Sequence, residues 1–587
     1  MSPAERPITP AWLRGIGLVG VATVLTLYAW WTMIANYPKT PEEDGRYVYQ
    51  QFEIAKASIR IYGEAPLWNP FDCRGIPMWD HPESMTASPI VWLTAYMSTG
   101  ITIILWNVLH VIAGWVGMWL LVRQELKLGR PAAFVGATMF GLGVAHVTQY
   151  AGEHETFVCF LFAPILILLW RRAETSVNAA IGLGALLAFM VYEGATYPLP
   201  YCGMMLVIET VTRLTSKQRA LAILKAGAIV GVFAFLLSAA RLLPLVDQMQ
   251  SHKRTMSGGP DVDAISLKTL NAMYTLRSPH WRAHLDGQQY VFGEYLSYIG
   301  WLAVILLVIG VAVGGAEYAW LLFLAIALGA LMMGHFHKYA PWTLLHEHVP
   351  PFKSMRVASR FRLPEMMCIG AFVAIAIDRT PKRLRAIGLS PRLTDAIGVV
   401  LLGLGLVAAG DAIGLDQEIM SYRFNGAPAQ PVQRSTRFHY GGPGLAHDFI
   451  DQPRQNRAWL GCRSYEWPAL TDAPLWQGDV PQAKAVDDGA VVEVANRTHN
   501  TFTIDVVASR PSRIMLNSAY ERSWQSSVGT VVNHEKLLGI DLPEGRHRVK
   551  VRYWPRTLTP GILLSCLGVV LIGGYYALQL RRRSRSD

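Results

Sequence analysis

About twelve apolar runs, most of them close to the length of a membrane-crossing helix, dominate this chain, and basic residues gather in every second loop between them except the tight 314–316 turn. Such runs leave few architectures open. In lipid every backbone donor and acceptor must be satisfied internally, which a helix of roughly 20 apolar residues does and an irregular segment does not. The runs lie near 15–35, 101–122, 132–148, 156–170, 177–192, 197–212, 221–245, 293–313, 317–334, 363–378, 395–413 and 557–580. Only 16% of the residues are charged, against roughly 25% for a soluble domain. The first run is longer than a signal-peptide core and no A-x-A-like site follows it, so it reads as a retained span.

The formal charge of +11 would suit a nucleic-acid binder, but its distribution argues for a membrane and against nucleic acid. With the N-terminus cytoplasmic, the inner loops hold Arg123, Lys127 and Arg130; Arg171 and Arg172; Arg213, Lys217 and Arg219; and Arg379, Lys382, Arg383, Arg385 and Arg392. The tail arginines 581–583 and 585 also fall inside. This is the positive-inside pattern, and it makes the chain multi-pass with both termini cytoplasmic.

The other loops face outward, with a polar block at 414–556 before the last run. Within that block 491–494, 501–507 and 546–553 have the alternation of strands, punctuated by Pro-Ser and Pro-Glu-Gly. The expected fold class is mainly α: a polytopic helix bundle of about 12 spans with a small extracytoplasmic β-sandwich. Its parts are a membrane domain at 1–413, a β-rich domain at 414–556, and a last span with basic tail at 557–587. Six cysteines are scattered without a CxxC pair, so a zinc or redox site is not indicated. Cys73 and Cys462 fall on the outer side, where a disulfide is possible.

Ionisable groups at a membrane boundary are costly and seldom idle. Glu42, Glu43 and Asp44 directly follow the first run, where an acid could take a proton from a hydroxyl or simply be solvated. An amphipathic helix at 46–62 and an ordered surface loop at 67–77 follow. His146, Gln149, Glu153 and His154 mark the loop after the third run, and Glu193 the loop after the fifth. Their spacing does not match a zinc helix. The loop before the tenth run carries Arg356, Arg360 and Arg362 and is basic although external. That exception favours an anion, since the guanidinium fork suits phosphate; ion pairing with neighbouring loops is the plainer alternative. If this stretch is helical, Arg356 and Arg360 share a face.

Gly63 with Pro66-Leu67-Trp68-Asn69-Pro70, Gly75 and Pro77, the His146/Gln149 turn and Arg356-Val357-x-Ser359-Arg360 together resemble YfhO-type bacterial membrane proteins. The ending Ser518-Ala519-Tyr520-Glu521-Arg522-Ser523-Trp524, Leu542 to His547 and Tyr553-Trp554-Pro555 is similar too, although that family usually has Pro-Gly before its Trp where this chain has Glu521-Arg522-Ser523-Trp524. The resemblance implies the GT-C superfamily of membrane glycosyltransferases. It implies an inverting enzyme (EC 2.4 class) of the bacterial inner membrane, active on the extracytoplasmic side. The donor would be a polyprenyl-phosphate sugar and the acceptor a glycan, lipid or protein. Asp44 would be the catalytic base, and Arg356, Arg360 and Arg362 would hold the donor phosphate. Glu43, His146, Gln149, Glu153, His154 and Glu193 are then further candidates for the substrate site. No cofactor is required; a divalent metal is possible, but no ligand set supports one. A lipid-linked saccharide transporter predicts ionisable groups at mid-span, where the chain has few. A non-catalytic envelope scaffold predicts that Asp44 is dispensable.

Overall fold

Each apolar run contains a helix in the computed structural model, which describes residues 11–37, 39, 44–72, 74–152, 154–252, 261–285, 287–423, 439–440, 450–458, 475–478 and 480–584. The helices are α1 (Ala11–Ala29), α2 (Trp31–Ala35), α3 (Asp44–Arg60), α4 (Thr99–Leu120), α5 (Arg130–Gly141), α6 (Val144–Ala151), α7 (Ala163–Ala173), α8 (Val177–Tyr192), α9 (Pro198–Val211) and α10 (Lys217–Ser251). They continue with α11 (Leu267–Thr275), α12 (Gly300–Gly314), α13 (Ala319–Met332), α14 (Pro341–His348), α15 (Pro350–Lys353), α16 (Arg362–Ala386), α17 (Pro391–Arg423), α18 (Asp451–Gln455) and α19 (Leu558–Arg583). Among the described residues seven helical stretches are long and apolar enough to cross a membrane, Gly300–Met332 counting as one. Three shorter apolar helices, Gly15–Ala29, Val177–Tyr192 and Pro198–Val211, accompany them.

Lipid supplies no hydrophobic drive between helices, so close backbone approach has to come from small residues. Gly136 of α5 and Gly370 of α16 face each other so closely that a Cβ on either would lie 2.9 Å from the other's carbonyl oxygen. Helix α16 thereby becomes the centre of the bundle, and Leu363, Phe372 and Ile375 on it are buried. Leu224, Val308, Ile326, Val399 and Val570 point outward from their helices and are exposed, as a lipid-facing surface requires.

The loops sort to two ends of the bundle. At one end Arg171 binds Glu125 at 2.5 Å and Glu209 at 2.7 Å, Arg213 binds Glu174 at 2.5 Å, and Arg379 binds Glu317 at 3.0 Å. Asp378 there accepts a hydrogen bond from the Gly129 amide at 2.8 Å. These are the loops grouped as cytoplasmic from sequence. The other loops meet at the opposite end, together with the β-rich region.

That region begins later than expected, because α17 runs on to Arg423, past the boundary at 413. Arg277 secures the extension by binding Asp411 at 2.9 Å and Glu418 at 2.6 Å. Of the short strands, β1 (Trp68–Asn69) pairs with β2 (Ile76–Pro77), and β3 (His439–Tyr440) with β4 (Arg457–Ala458). The sandwich comprises β5 (Ala483–Ala485), β6 (Ala490–Arg497), β7 (Thr501–Ala508), β8 (Ser512–Ala519), β9 (Trp524–Ser526), β10 (Thr530–His534), β11 (Leu537–Leu542) and β12 (Gly545–Tyr553). Its two sheets run β10-β11-β8-β5 and β6-β7-β12-β9. The alternate residues Phe502, Ile504, Val506 and Val549, Val551, Tyr553 face the shared core, which also holds Ile514, Leu516 and Leu538. Cys73 and Cys462 lie outside the described residues.

The 63–88 segment does not lie free on the membrane surface; it is clamped between bundle and sandwich. Trp68 packs edge-on against Trp524 with ring centroids 5.2 Å apart, and Asn500 accepts from the Leu67 and Trp68 amides. On the bundle side the buried Arg241 of α10 donates to the carbonyls of Trp79, His81 and Ser84. The Trp79 indole donates to the Ala240 carbonyl at 2.9 Å. A buried arginine that satisfies three loop carbonyls removes the desolvation cost a bare loop would carry.

Asp80 sits at this joint, accepting from the Tyr553 hydroxyl at 3.0 Å. Burial, reinforced by the nearby Glu521, pushes its carboxyl up from 3.8 to about 8. The folded form thus holds a proton that the unfolded chain releases on passing its ordinary value. The contribution is full at low pH and is lost as the pH rises through about 8. The thermal midpoint of the detergent-solubilised chain should therefore fall as pH rises across this range, and Asp80→Asn should flatten the slope. An unchanged slope in the variant would show that Asp80 is not its source.

Candidate functional site

Four segments meet at the end of the bundle that carries the sandwich. Helix α5 breaks at Leu142-Gly143 and resumes as α6, which carries His146, Gln149 and Tyr150 to this end. The Tyr150 ring lies 5.2 Å from Trp30, where α1 gives way to α2. The 292–298 loop brings Glu294, and a 3-10 turn at Ala358–Phe361 brings Arg360.

Glu294 is the hub. Arg360 meets it fork-on-fork, Nη2 to Oε1 at 2.5 Å and Nε to Oε2 at 3.2 Å, the geometry that makes guanidinium–carboxylate pairs strong and directional. Gln149 Nε2 donates to Glu294 Oε2 at 3.2 Å and to the Gly293 carbonyl at 3.3 Å. His154 joins through Nδ1 to Gln149 Oε1 at 3.0 Å, while its Nε2 lies 3.4 Å from Arg360 Nη2. Burial alone would raise the Glu294 carboxyl; Arg360, His154 and Arg362 outweigh it and hold the group below the ordinary carboxylate range. Arg360 is only 5% exposed and its guanidinium also covers the rings of Phe157 and Tyr197, at 4.7 and 4.5 Å.

Arg362 is fully buried and has a different task. It donates to the carbonyls of Glu294 at 3.0 Å, Gly293 at 2.8 Å and Ala145 at 3.3 Å, and to Ser297 Oγ at 3.3 Å. Its donors thus fasten the 292–298 loop to α6, and a phosphate would have to displace them. Arg356 is half-buried. It does not share a helix face with Arg360, because Val357 between them has a left-handed backbone.

Glu193 is held elsewhere. Ser88 Oγ donates to it at 2.6 Å, the Trp106 indole donates to its other oxygen, and His110 Nε2 lies 3.9 Å away. Its loop does reach the hub, through Tyr197. His146 is buried edge-on to Phe140 at 5.1 Å. Asp44 is the first residue of α3, which begins two residues before the helix expected at 46–62. Glu43 and Glu153 lie outside the described residues. Among the described residues no group of three or more His, Cys, Asp or Glu side chains is arranged to hold a metal ion.

The sequence reading missed Glu294, Tyr197 and also Tyr201, whose hydroxyl donates to the carbonyls of Arg356 and Val357. A charge in Gly293-Glu294-Tyr295, at the very start of an apolar run, was the available signal for the first. The two tyrosines carry none, because aromatic residues are common at any membrane boundary.

No family model matches the chain, and no curated protein matches it. Among solved structures it is similar to the arabinofuranosyltransferase AftD from Mycobacteria, at 15% identity and a TM-score of 0.48, over 78% of this chain and 32% of that one. The chain thus spans about a third of the mycobacterial protein's length. It is similar to ArnT from Cupriavidus metallidurans bound to undecaprenyl phosphate, at 12% identity and 0.46, over 85% and 98%. It is also similar to the Archaeoglobus fulgidus oligosaccharyltransferase tethered with an acceptor peptide, at 10% identity and 0.42, over 77% and 65%.

Removing one partner of a buried ion pair leaves a bare charge, which typically costs about 3–5 kcal/mol. Glu294→Gln should lose stability on that scale in chemical denaturation of the purified chain. The double change Glu294→Leu with Arg360→Met should recover part of it. A loss of only a few tenths of a kcal/mol, as for an exposed pair, would mean that Glu294 is not the hub.

Proposed function

We propose that the chain is a membrane glycosyltransferase of the GT-C kind. It moves a sugar from a polyprenyl-phosphate donor to an acceptor on the outer side of a bacterial inner membrane, with both termini cytoplasmic. The observation that carries this reading is the meeting of segments far apart in sequence. Gln149, His154 and Arg360 share the Glu294 hub, and the same helix α6 touches the end of the first span through Tyr150 and Trp30. Asp44 opens the next helix of that chain segment. Transfer needs a cation for the leaving phosphate and a base for the acceptor hydroxyl, roles that this reading gives to Arg360 and Asp44.

In this mechanism an acceptor hydroxyl gives its proton to the Asp44 carboxylate as its oxygen attacks the anomeric carbon. The bond from that carbon to the donor phosphate oxygen breaks, and the configuration inverts in the single displacement. The phosphate leaves as an anion on its lipid, its charge offset by Arg356 and Arg360. A lipid phosphate is already a good leaving group, so no strong general acid is invoked. The basic end of the bundle is read as cytoplasmic by the positive-inside rule.

Asp44→Asn keeps the side chain's size but removes the base, a loss worth ~10²–10⁴ in rate. Release of polyprenyl phosphate from lipid-linked sugars of the native membrane should fall on that scale, with expression and insertion intact. Arg360→Lys should retain part of the donor affinity and Arg360→Ala little of it. Wild-type turnover in Asp44→Asn, Glu42→Gln and Glu43→Gln alike would overturn the mechanism.

Sidedness has its own test. In a chain lacking Cys73 and Cys462, Glu493→Cys should react with an impermeant maleimide on intact cells, and Ile387→Cys only after permeabilisation. The reverse pattern would turn the site toward the cytoplasm.

A further inference from the structure

Six non-glycine residues among those described have a positive φ, and Val357 is the β-branched one, at φ 67° and ψ 73°. The left-handed region crowds Cβ against the following carbonyl, and branching at Cβ makes this worse. The other five are Arg74, Lys127, Asn456, Glu535 and Lys536. Val357 is buried at 2% exposure, between the two arginines of the Arg356-Val357-Ala358-Ser359-Arg360 stretch. Such a conformation persists only where its surroundings over-determine it, and it is found most often at functional sites.

The restraint is identifiable. Tyr201 of α9 is fully buried, and its hydroxyl proton is shared between the carbonyls of Arg356 and Val357, each at 3.2 Å. Two consecutive carbonyls turned toward one donor are incompatible with extended backbone, in which successive carbonyls diverge. The Tyr201 ring is itself fixed by Phe361 at 4.4 Å and Phe352 at 5.8 Å. Beyond the turn, Ser359 Oγ donates to the Glu294 carbonyl at 2.9 Å. Before it, His346 Nε2 lies 3.1 Å from the Met355 carbonyl. The turn is therefore held at both ends and at its strained centre, and the central tie is one phenolic hydroxyl.

We infer that Tyr201 is a positioning residue for the donor: its hydroxyl holds Val357 left-handed, and so keeps Arg356 and Arg360 together on one lipid-phosphate group. This rests on the donor reading given above. With the hydroxyl gone, Val357 relaxes to negative φ, the Arg356 peptide rotates, and the two guanidinium groups no longer serve a single anion. Tyr201 is fully buried, so it touches no substrate.

The test uses the full chain in nanodiscs, with undecaprenyl phosphate as probe and undecaprenol as neutral control. Tyr201→Phe should weaken undecaprenyl phosphate binding about tenfold, the factor that left-handed strain of one residue represents, and leave undecaprenol unchanged. Glycine occupies positive φ without penalty, so at position 357 it would not need the hydroxyl to stay left-handed. Val357→Gly introduced into Tyr201→Phe should restore most of the lost affinity. A merely structural Tyr201 would lower the thermal midpoint with no change in phosphate binding, and that result overturns the inference. Weakened binding that Val357→Gly does not rescue overturns it as well, since the strained turn would then not be the route. A parent chain that binds undecaprenyl phosphate no better than undecaprenol sinks the donor reading itself.

Discussion

A carboxylate buried beside two guanidinium groups is the constraint around which the described loops at one end of this bundle are arranged. Glu294 engages Arg360 through its side chain and Arg362 through its carbonyl. Those two arginines belong to the turn that opens α16, the helix at the bundle's centre. Without the acid, two cations would be stranded in a setting with almost no water, and neither the 292–298 loop nor the 358–361 turn would have a reason to stay. With it, α6, the 292–298 loop and α16 are fixed to one another at hydrogen-bond precision. The Arg360 side chain is thereby held in place, and a preorganised group binds a partner at lower cost.

The β-sandwich is joined to this frame through the 63–88 segment and also directly, where Arg522 between β8 and β9 pairs with Asp247 of α10 at 2.8 Å. Arg241 satisfies that segment's carbonyls from below, and Asn500, Trp524 and Tyr553 grip it from above. The same segment contributes Ser88 to Glu193 and the Ser84 carbonyl that crowds Gly194, at the start of the loop carrying Tyr197. The sandwich is thus coupled in space to the aromatic wall behind Arg360, through packed side chains and main-chain hydrogen bonds. Helix α19 closes the arrangement, lying along α10 where Ser565 Oγ accepts from the Ala240 amide at 3.0 Å.

Hydropathy made the bundle legible, because lipid imposes one solution on an apolar run and the loop charges then sort the loops into two groups. Helix ends were less legible. The run ending at 413 continues to Arg423 because Arg277 pairs with Asp411 and Glu418, a tertiary contact that makes polar residues helical. The Pro66-Leu67-Trp68-Asn69-Pro70 stretch was read as a membrane-surface loop because its partners lie more than 400 positions away. Within the site, Arg356, Arg360 and Arg362 were visible as an exception to a charge pattern. Their partner was not, since a single acid at the head of an apolar run reads as part of a span. Glu193 stood out in sequence as a charged group, yet its loop contributes the uncharged ring of Tyr197 to Arg360. The left-handed Val357 could not have been foreseen, because valine is among the last residues expected there.

The central proposal is that the loops around Glu294 build one receptor for a lipid phosphate, with Asp44 as the base. Cryo-electron microscopy of the full chain in nanodiscs with undecaprenyl phosphate tests it most directly. The account predicts phosphate density within hydrogen-bond reach of Arg356 or Arg360, with the polyprenyl tail leaving between membrane helices and Asp44 on the side open to an acceptor. Phosphate density at the opposite, basic end of the bundle, beside Arg171 and Arg213, would contradict it.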